Sequence, residues 1–229
     1  MLILSDLLNL LFPRCCAGCN DELAKGEQSV CTNCLVSLPR TGHWKNEDNP
    51  VARIFWGRIK AERVATLFHF QKGGRLQEIM HKFKYKNQKE IGRELGIHFA
   101  HHLKETKFSE VNVIVPIPLH FSKLKKRNYN QSEEIAKGLS EILNIEIDTT
   151  SVVRHLANET QTMKNRYDRW SNVENIFAVV EPQRLIGKHV LLVDDILTTG
   201  ATLEACAAKI LEIKNTKVSI VALASADIY

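Results

Sequence analysis

The stretch HVLLVDDILTTGATLEA, residues 189–205, constrains the fold of this chain more than any other part of its sequence. Its apolar first half predicts a buried strand, and the residues after Gly200 predict a helix. Asp194 and Asp195 stand side by side where the strand would end, although neighbouring carboxylates repel each other and are costly to bury. We therefore expect a polar group to meet them there.

Strands and helices alternate along the rest of the sequence, as in an α/β protein. Such alternation predicts an open, mostly parallel sheet with helices on both faces, and ligands bind such sheets at the carboxyl ends of the strands. The two acids and the sequence PIPLH, which ends another predicted strand, therefore converge on one predicted cleft. The predicted strands are residues 63–70, 111–118, 189–195 and 218–225, with shorter ones around Val152 and Phe177, and the predicted helices are residues 75–84, 89–104, 130–143 and 201–212.

Five of the six cysteines lie within residues 15–34, which favours a metal site over disulfide bonds because no secretory signal precedes them. Two CxxC turns, separated by eleven residues, aim four thiolates at one point, as in a structural tetrahedral zinc site. Free thiols or a redox pair are the alternative. Cys15 is the spare cysteine, and we expect Cys206 to be a packed thiol. The expected Zn²⁺ ligands are Cys16, Cys19, Cys31 and Cys34.

Three segments are expected along the chain. Residues 1–40 would hold an N-terminal helix and a zinc ribbon, residues 41–62 a linker or loop-rich arm, and residues 63–229 the main domain. Residues 1–12 are apolar but too short to span a bilayer, and they lack the basic leader of a signal peptide, so they predict a short amphipathic helix. We expect a cytoplasmic protein without a membrane span. The net charge of +5 permits an anionic ligand or nucleic acid without requiring one.

The loop after Asp195 has the chemistry of a phosphate site. Gly200 permits a tight turn, and the backbone N–H groups that open the following helix face the loop, where the positive end of the helix dipole favours an anion. The carboxylates of Asp194 and Asp195 can accept hydrogen bonds from the vicinal hydroxyls of a sugar. A phosphate at one end and a diol at the other describe a ribose 5-phosphate.

Residues 193–202, VDDILTTGAT, resemble the phosphoribosyl pyrophosphate (PRPP) motif of the type I phosphoribosyltransferases. The whole chain resembles one branch of them, the ComF family of competence-associated proteins, in which a zinc ribbon precedes that fold. Besides the motif, the resemblance covers FPRCCAGC, CTNC, PIPLH, KKRNYNQSEEIA and RHLANETQTMKNRYDRWSNVENIF, in this order. It implies a type I phosphoribosyltransferase fold, an open and mostly parallel sheet with helices on both faces, preceded by a small zinc ribbon.

The resemblance also implies roles for individual residues. Asp194 and Asp195 would hold the ribose hydroxyls of PRPP, and Mg²⁺ would bridge pyrophosphate and ribose oxygens. The residues implied for the 5-phosphate are Thr198, Thr199, Gly200, Ala201 and Thr202. The residues implied for the pyrophosphate are Pro116, Ile117, Pro118, Leu119 and His120. Further contacts with anions or DNA are expected from Lys123, Lys125, Lys126, Arg127, Arg154 and Arg166.

In enzymes of this type a nucleophile displaces pyrophosphate from C1 of the ribose, and the protein stabilises the charge on the leaving group. The resemblance names no acceptor for this chain, and one alternative is a PRPP sensor that binds without turnover. A second alternative is single-stranded DNA binding, because residues 71–90 hold six basic and two acidic residues interleaved with Phe83 and Tyr85. The ComF resemblance implies a role in DNA uptake, with DNA-uptake proteins as partners.

Overall fold

The structure is a computed structural model that describes residues 13–154 and 176–226. The helix expected within residues 1–12 and the expected contact residue Arg166 lie outside the described residues. The strands are β1 (Ala61–Phe70), β2 (Val113–Pro116), β3 (Glu146–Ile147), β4 (Val152–Arg154), β5 (Phe177–Val179), β6 (His189–Leu197) and β7 (Lys217–Ala226).

Helices connect most of these strands. The α-helices are α1 (Thr32–Ser37), α2 (Pro50–Arg53), α3 (Arg75–Tyr85), α4 (Glu90–Leu103), α5 (Phe121–Arg127), α6 (Gln131–Leu143) and α7 (Ala201–Leu211), and 3-10 helices span His43–Lys45, Lys107–Glu110 and Pro182–Arg184. The four helices expected from the sequence are present as α3, α4, α6 and α7, each to within one residue at either end. Among the described residues, none of the helices is both long enough and apolar enough to cross a membrane.

The main sheet has the strand order β1-β7-β6-β2-β3, and each neighbouring pair in it is parallel. The α/β fold class expected from the sequence is therefore confirmed. β2 is shorter than the expected strand at residues 111–118, because Pro118 has no N–H to donate to a ladder. The last ladder bond runs from the Ile117 N–H to the Val193 carbonyl at 2.9 Å, so β2 and β6 end at the same edge of the sheet.

Alternate residues of β6 pack on opposite faces of the sheet. Leu191 and Val193 belong to a core that also contains side chains of α3, α4, α6 and the cysteine-rich segment. Val190 and Leu192 belong to a second core that contains side chains of α2 and α7. Burial on both faces explains why β6 is an almost unbroken apolar run, as is typical of a central parallel strand.

The short strands predicted around Val152 and Phe177 are present, but they do not join the main sheet. β4 and β5 pair antiparallel with each other, and Arg154 lies opposite Phe177 in this pair. The pair extends from the main domain as a two-stranded ribbon. Its packing uses Val152 and Phe177, both buried in the same core as α7.

The outer edge of β1 is covered by the chain that leads out of the cysteine-rich segment. The His69 N–H donates to the Pro39 carbonyl at 2.8 Å, and the Thr41 N–H donates to the Leu67 carbonyl at 3.0 Å. Arg40 forms an antiparallel bridge with Phe68 between these two bonds. At the opposite edge the last strand, β3, has two residues.

Residues 41–62, expected to be a linker or loop-rich arm, hold a 3-10 helix and α2 and are closely packed on the domain. Asn49 caps α2 by accepting the Ala52 N–H at 3.0 Å, and its side-chain amide donates to the Val64 carbonyl of β1 at 2.9 Å. Phe55 and Val51 are fully buried in the core beneath α7. The arm is thereby fastened to β1 and to the core on the α7 side of the sheet.

Candidate functional site

The two acids lie near the carboxyl end of β6, half-buried. The Asp195 backbone N–H donates to Asp194 Oδ1 at 2.8 Å, and the Ser132 hydroxyl of α6 donates to the same oxygen at 3.0 Å. Burial, and after it the charge of Asp195, raise the pKa of Asp194 to about 7, against the two hydrogen bonds and the charge of Lys84, which lower it. Near neutral pH the Asp194 carboxyl is therefore poised between its protonated and ionised forms.

Lys84, at the end of α3, pairs with the second acid. Its Nζ lies 2.8 Å from Asp195 Oδ2, and the two side chains are 17% and 14% exposed. One acid thus has a cation as its partner and the other has neutral donors, which separates the environments of two adjacent carboxylates. Such a separation is common at functional sites, where adjacent ionisable groups serve different roles.

The loop that follows β6 turns sharply into α7 at Gly200, which has φ +78° and is the residue before the helix. A small cavity of about 40 Å³ is lined by Asp194 and by the residues from Ile196 to Leu203. The first N–H groups of α7 have no acceptors within the helix. The resemblance-based 5-phosphate residues are therefore brought together with Asp194 around one cavity.

The arm, residues 41–62, packs against this loop. A Cβ atom on Gly200 would lie 3.1 Å from both Ile54 and Phe55, so the glycine is needed for close packing as well as for its backbone angle. Arg58 forms a salt bridge with Glu204 in the first turn of α7, and its Nη1 lies 3.5 Å from the Thr199 carbonyl. The arm therefore fixes both sides of the turn.

Substitution of Gly200 by Ala is expected to destabilise the protein by about 2–3 kcal/mol, because it combines backbone strain with overpacking against Phe55. Gly187→Ala is the matched control, since Gly187 also has a positive φ, +70°, but a Cβ atom there would meet nothing within 4 Å. We expect that control to lose about 1 kcal/mol, for the backbone strain alone. Urea unfolding measures both; equal losses would contradict the packing role of the arm.

The second loop expected at the site, residues 116–120, follows β2 and is joined to the first through α6. Asn130, the residue before α6, donates from its side-chain amide to the Ile117 carbonyl at 3.0 Å and accepts the Ser132 N–H at 3.1 Å. Ser132 in turn donates to Asp194. The start of α6 therefore connects the expected pyrophosphate loop to the expected ribose acid by an unbroken set of hydrogen bonds.

The remaining residues of that loop are described as well. Ile117 is buried, whereas Pro118, Leu119 and His120 are half-buried. His120 precedes α5, and its Nδ1 accepts the Ser122 N–H at 3.3 Å. This bond stabilises the start of α5 and orients the imidazole toward its own helix.

The expected basic contact residues divide into two groups. Lys123, Lys125, Lys126 and Arg127 lie on α5, which has no buried residue. Arg154 lies at the end of β4, where its guanidinium is 5.3 Å from the centre of the Phe177 ring. The pKa of Cys206 in α7 is raised by burial and by the charge of Asp194 and lowered by the charge of Arg154. Four of the expected cations therefore lie on one exposed helix beyond β2, and Arg154 lies apart from them on β4.

The ionisation of Asp194 should make stability depend on pH. Its pKa is raised from 3.8 to about 7 in the folded state, so between these values the folded chain binds a proton that the unfolded chain does not. Stability is therefore expected to fall as pH rises from about 4 to about 7, with each unit of raised pKa corresponding to about 1.4 kcal/mol. Urea unfolding of wild type and Asp194→Asn across this range tests it; an unchanged slope in the variant would contradict the assignment.

A metal centre is indicated in the cysteine-rich segment. The sulfur atoms of the four expected ligands, Cys16, Cys19, Cys31 and Cys34, all lie within 4.8 Å of one another. The Cys19 and Cys31 sulfurs are 3.7 Å apart, and four sulfurs around zinc at about 2.3 Å would be separated by about 3.8 Å. The donor set and its spacing fit a metal ion such as zinc.

Backbone N–H groups lower the pKa of one of these thiols, that of Cys16. Burial would raise the pKa of Cys16, but N–H groups that include those of Cys31 and Gly18, at 3.2 and 3.3 Å from its sulfur, lower it to about 6. N–H groups directed at thiolates are the hydrogen bonds that a metal-bound sulfur requires. Cys15 is exposed and outside the cluster, and Cys206 is buried in α7, as the sequence predicts.

The cysteine-rich segment is attached to the main domain through α3 and α4. Glu94 of α4, largely buried, accepts the N–H groups of Ser29 and Val30 at 2.8 and 3.2 Å. Lys82 of α3 donates to the Cys16 carbonyl at 3.3 Å. The helix that places Lys84 beside Asp195 thus also contacts the metal cluster.

Sequence reasoning missed Lys84, Ser132 and Arg58 as members of the site. Lys84 lies in the basic stretch at residues 71–90, and Ser132 lies within KKRNYNQSEEIA. In both cases the sequence pattern marks the segment but does not distinguish the individual residue. Arg58 lies in the arm, where no motif marks it. If Asn130 is taken as the N-cap of α6, the helical period of 3.6 residues predicts that Ser132 faces the loop.

Comparison with known proteins supports the assignment of the fold. Residues 114–227 match the family model of the phosphoribosyl transferase domain. Competence protein F of Haemophilus influenzae is 28% identical over 82% of this chain and 86% of its own length, and the DNA utilization protein YhgH of Escherichia coli K12 is 26% identical over 88% and 92%.

Two further proteins extend the comparison. Competence protein ComFC of Bacillus subtilis is 26% identical over 86% of this chain and 78% of its own length. Among solved structures, the glutamine PRPP amidotransferase of B. subtilis aligns with 18% identity and a TM-score of 0.45, over 62% of this chain and 30% of that chain. With its cysteine-rich segment and phosphoribosyl transferase domain in the expected order, the chain is similar over most of its length to competence protein F and competence protein ComFC, as the resemblance to the ComF family implies.

Proposed function

We propose that this protein binds PRPP together with Mg²⁺ at the carboxyl ends of β2 and β6. Asp194 and Asp195 would accept hydrogen bonds from the ribose hydroxyls. Residues 198–202 would bind the 5-phosphate, and residues 116–120 would bind the pyrophosphate. Mg²⁺ would enter as a complex with the ligand, because pyrophosphate is a strongly charged oxygen ligand that suits a hard cation. We also infer that the four-cysteine cluster binds zinc as a structural metal.

The hydrogen bonds at the start of α6 are the observation that carries this proposal. They connect the Ile117 carbonyl through Asn130 and Ser132 to Asp194, so the loops after β2 and β6 share one rigid support. A ligand that spans ribose and pyrophosphate needs these two loops at a fixed separation. Preorganised donors and acceptors of this kind bind one ligand that carries both groups more tightly than they bind its separate fragments.

The charges around the site agree with such a ligand. Lys84 balances one of the acids, and Arg58 neutralises Glu204, whose carboxylate would otherwise lie in the first turn of the helix that meets the phosphate. The exposed cations of α5 follow the pyrophosphate loop directly. A ribose with anions at both ends would thus have hydroxyl acceptors in the middle, a neutralised carboxylate at the 5-phosphate end and positive charge at the pyrophosphate end.

Calorimetric titration tests the proposal. Zinc-loaded protein is titrated with PRPP plus Mg²⁺, with ribose 5-phosphate, and with pyrophosphate plus Mg²⁺. We expect PRPP to bind at least tenfold more tightly than either fragment, because one molecule then occupies both loops. If pyrophosphate binds as tightly as PRPP, the site is an anion site without a ribose, and the proposal is wrong.

Transfer to an acceptor is a further step of the same proposal. The displacement at C1 breaks the bond to pyrophosphate and forms a bond to the acceptor, so release of pyrophosphate from PRPP reports it without knowledge of the acceptor. A protein that binds PRPP but releases no pyrophosphate, with water or with candidate amines and bases, acts as a sensor. Either outcome is compatible with the binding site.

DNA is a second candidate ligand, and the surface of α5 favours it. Phe121 and Tyr85 are 63% and 51% exposed, and the charges of Lys126 and Arg127 lie 5.8 and 5.3 Å from the centre of the Tyr85 ring. Exposed aromatics between cations are the arrangement that stacks bases and follows a phosphate backbone. The names of the relatives, competence protein and DNA utilization protein, agree with a role in handling DNA.

An oligothymidine titrated at several salt concentrations tests this second function. Binding should weaken steeply with salt, and Lys126→Gln/Arg127→Gln should reduce the slope of log affinity against log salt, because two phosphate contacts are lost. Lys214→Gln is the matched control, since Lys214 is exposed and precedes β7, which is separated from β2 by β6 in the sheet. Absence of binding at low salt would rule this function out.

A further inference from the structure

Lys84 holds a cationic position inside the candidate site that no motif assigns. Its ion pair with Asp195 is about 85% shielded from solvent, on the figures of 17% and 14% exposure given above. Charges interact more strongly when they are shielded, and removing one partner of such a pair leaves the other uncompensated. Loss of Lys84 would therefore leave the Asp195 carboxylate shielded and without its partner, which loss of a surface pair would not.

The groups around the acids leave Lys84 as the cation that acts on both of them. Its charge lowers the pKa of Asp194, against burial and the charge of Asp195. Burial raises the pKa of the Cys206 thiol on the α7 side, so that thiol is neutral. The groups that face the pair from the surrounding elements are Lys84 of α3, Ser132 of α6, and Cys206 of α7, whose thiol also feels the charge of Arg154 of β4.

Two adjacent carboxylates would ordinarily suit a hard divalent cation, which prefers oxygen ligands. Here one oxygen of each acid is already engaged. Asp195 Oδ2 meets the Lys84 ammonium, and Asp194 Oδ1 accepts two hydrogen bonds, from the Asp195 N–H and the Ser132 hydroxyl. An ammonium at this position supplies the positive charge that a metal ion would supply.

We propose that Lys84 is the resident cation of the acid pair: it excludes a divalent metal ion from Asp195 and favours the ionised form of Asp194 for the hydroxyl groups of a sugar. The proposal rests on the proposed function, because it assigns the pair to a sugar. It adds that the metal ion is held by the phosphates of the ligand and not by these carboxylates before the ligand arrives.

Mn²⁺ alone is the first probe. Its binding to zinc-loaded protein at pH 8 is measured by electron paramagnetic resonance. We expect Lys84→Met to bind one Mn²⁺ at least tenfold more tightly than wild type, because the free carboxylate becomes a metal ligand. Lys84→Met/Asp195→Asn should lose that site. Lys86→Met, an exposed lysine two residues along the chain, should behave as wild type. A wild type that binds Mn²⁺ as tightly as Lys84→Met, and loses it with Asp195→Asn, would overturn the proposal.

Ribose 5-phosphate is the second probe, titrated calorimetrically from pH 6 to pH 8.5. Without Lys84 the Asp194 carboxyl should ionise less readily, so the pH midpoint of binding should rise by about one unit or more in Lys84→Met. Lys84→Arg keeps a cation and should retain the wild-type midpoint, which a merely structural lysine would not require. Thermal unfolding of each variant confirms that it is folded.

The two probes separate the outcomes. An unchanged pH midpoint in a folded Lys84→Met protein would overturn the role of Lys84 in ionising Asp194. If no protein binds ribose 5-phosphate but the Mn²⁺ site appears in Lys84→Met, Lys84 is the resident cation and the sugar assignment is wrong. If both the Mn²⁺ site and the pH shift appear, the proposal and the proposed function stand together.

Discussion

Replacing Asp194 and Asp195 together by Asn is expected to weaken PRPP binding in the presence of Mg²⁺ by at least 100-fold. A hydrogen bond to a charged acceptor contributes about 1.5–3 kcal/mol, so two of them correspond to at least about 3 kcal/mol, which is two orders of magnitude in affinity. Asn keeps the size of Asp and retains a carbonyl oxygen for Ser132, so the loop should keep its shape. Calorimetry gives the affinity.

The matched control for this variant is Asp48→Asn. Asp48 is an exposed carboxylate whose partner is Arg53 of the arm, with the two side chains 53% and 59% exposed, so the same chemical change is made away from the site. We expect its PRPP affinity to equal that of wild type. The double variant leaves Lys84 without its partner, so a modest fall in melting temperature is expected. Full PRPP affinity in a folded double variant would mean that the acids do not hold the ribose.

Replacing Cys16 by Ser is expected to remove the metal and unfold the cysteine-rich segment. A structural zinc site in a small peptide contributes on the order of 10 kcal/mol of binding free energy, and such segments have little core without it. Zinc content by mass spectrometry should fall from one ion per chain to near zero. Protease cleavage should appear within residues 13–38, because the turns that the metal holds would open.

Cys15→Ser is a control from the neighbouring position. Cys15 is exposed and lies outside the four-sulfur cluster, so the same substitution one residue earlier should leave zinc content and protease resistance unchanged. Glu94 and Lys82 join the segment to α4 and α3, so loss of the metal should also lower the melting temperature of the main domain. Equal zinc content in Cys16→Ser and wild type would exclude Cys16 as a ligand.

The features that sequence reasoning predicted are those specified by residues close together in the chain. A β-branched apolar run predicts β6, the turn at Gly200 follows from its missing side chain, and the spacing of two CxxC turns predicts the cluster. The four main helices are predicted to within one residue for the same reason: capping and hydrophobic period are local properties. Each of these was readable without knowing which elements are neighbours in space.

The features that were missed depend on contacts between distant parts of the chain. Ser132 and Asp194 are 62 residues apart, and Arg58 and Thr199 are 141 apart. A lysine in a basic stretch looks like a solvated surface residue until α3 is placed beside β6. The antiparallel pairing of β4 with β5 was missed in the same way, because the length of a strand does not specify its partner.

The hydrogen bonds between Pro39–Thr41 and β1 have a consequence for the solubility of the protein. An unpaired edge strand is a template on which another chain can add, and natural sheets protect such edges by covering them or by keeping them short. Here one edge is covered and the other ends in a two-residue strand. A fragment that begins at residue 63 would lack the covering chain, and we expect it to self-associate through its bare β1. Residues 39–41, which lead out of the cysteine-rich segment, are therefore expected to protect the protein against aggregation.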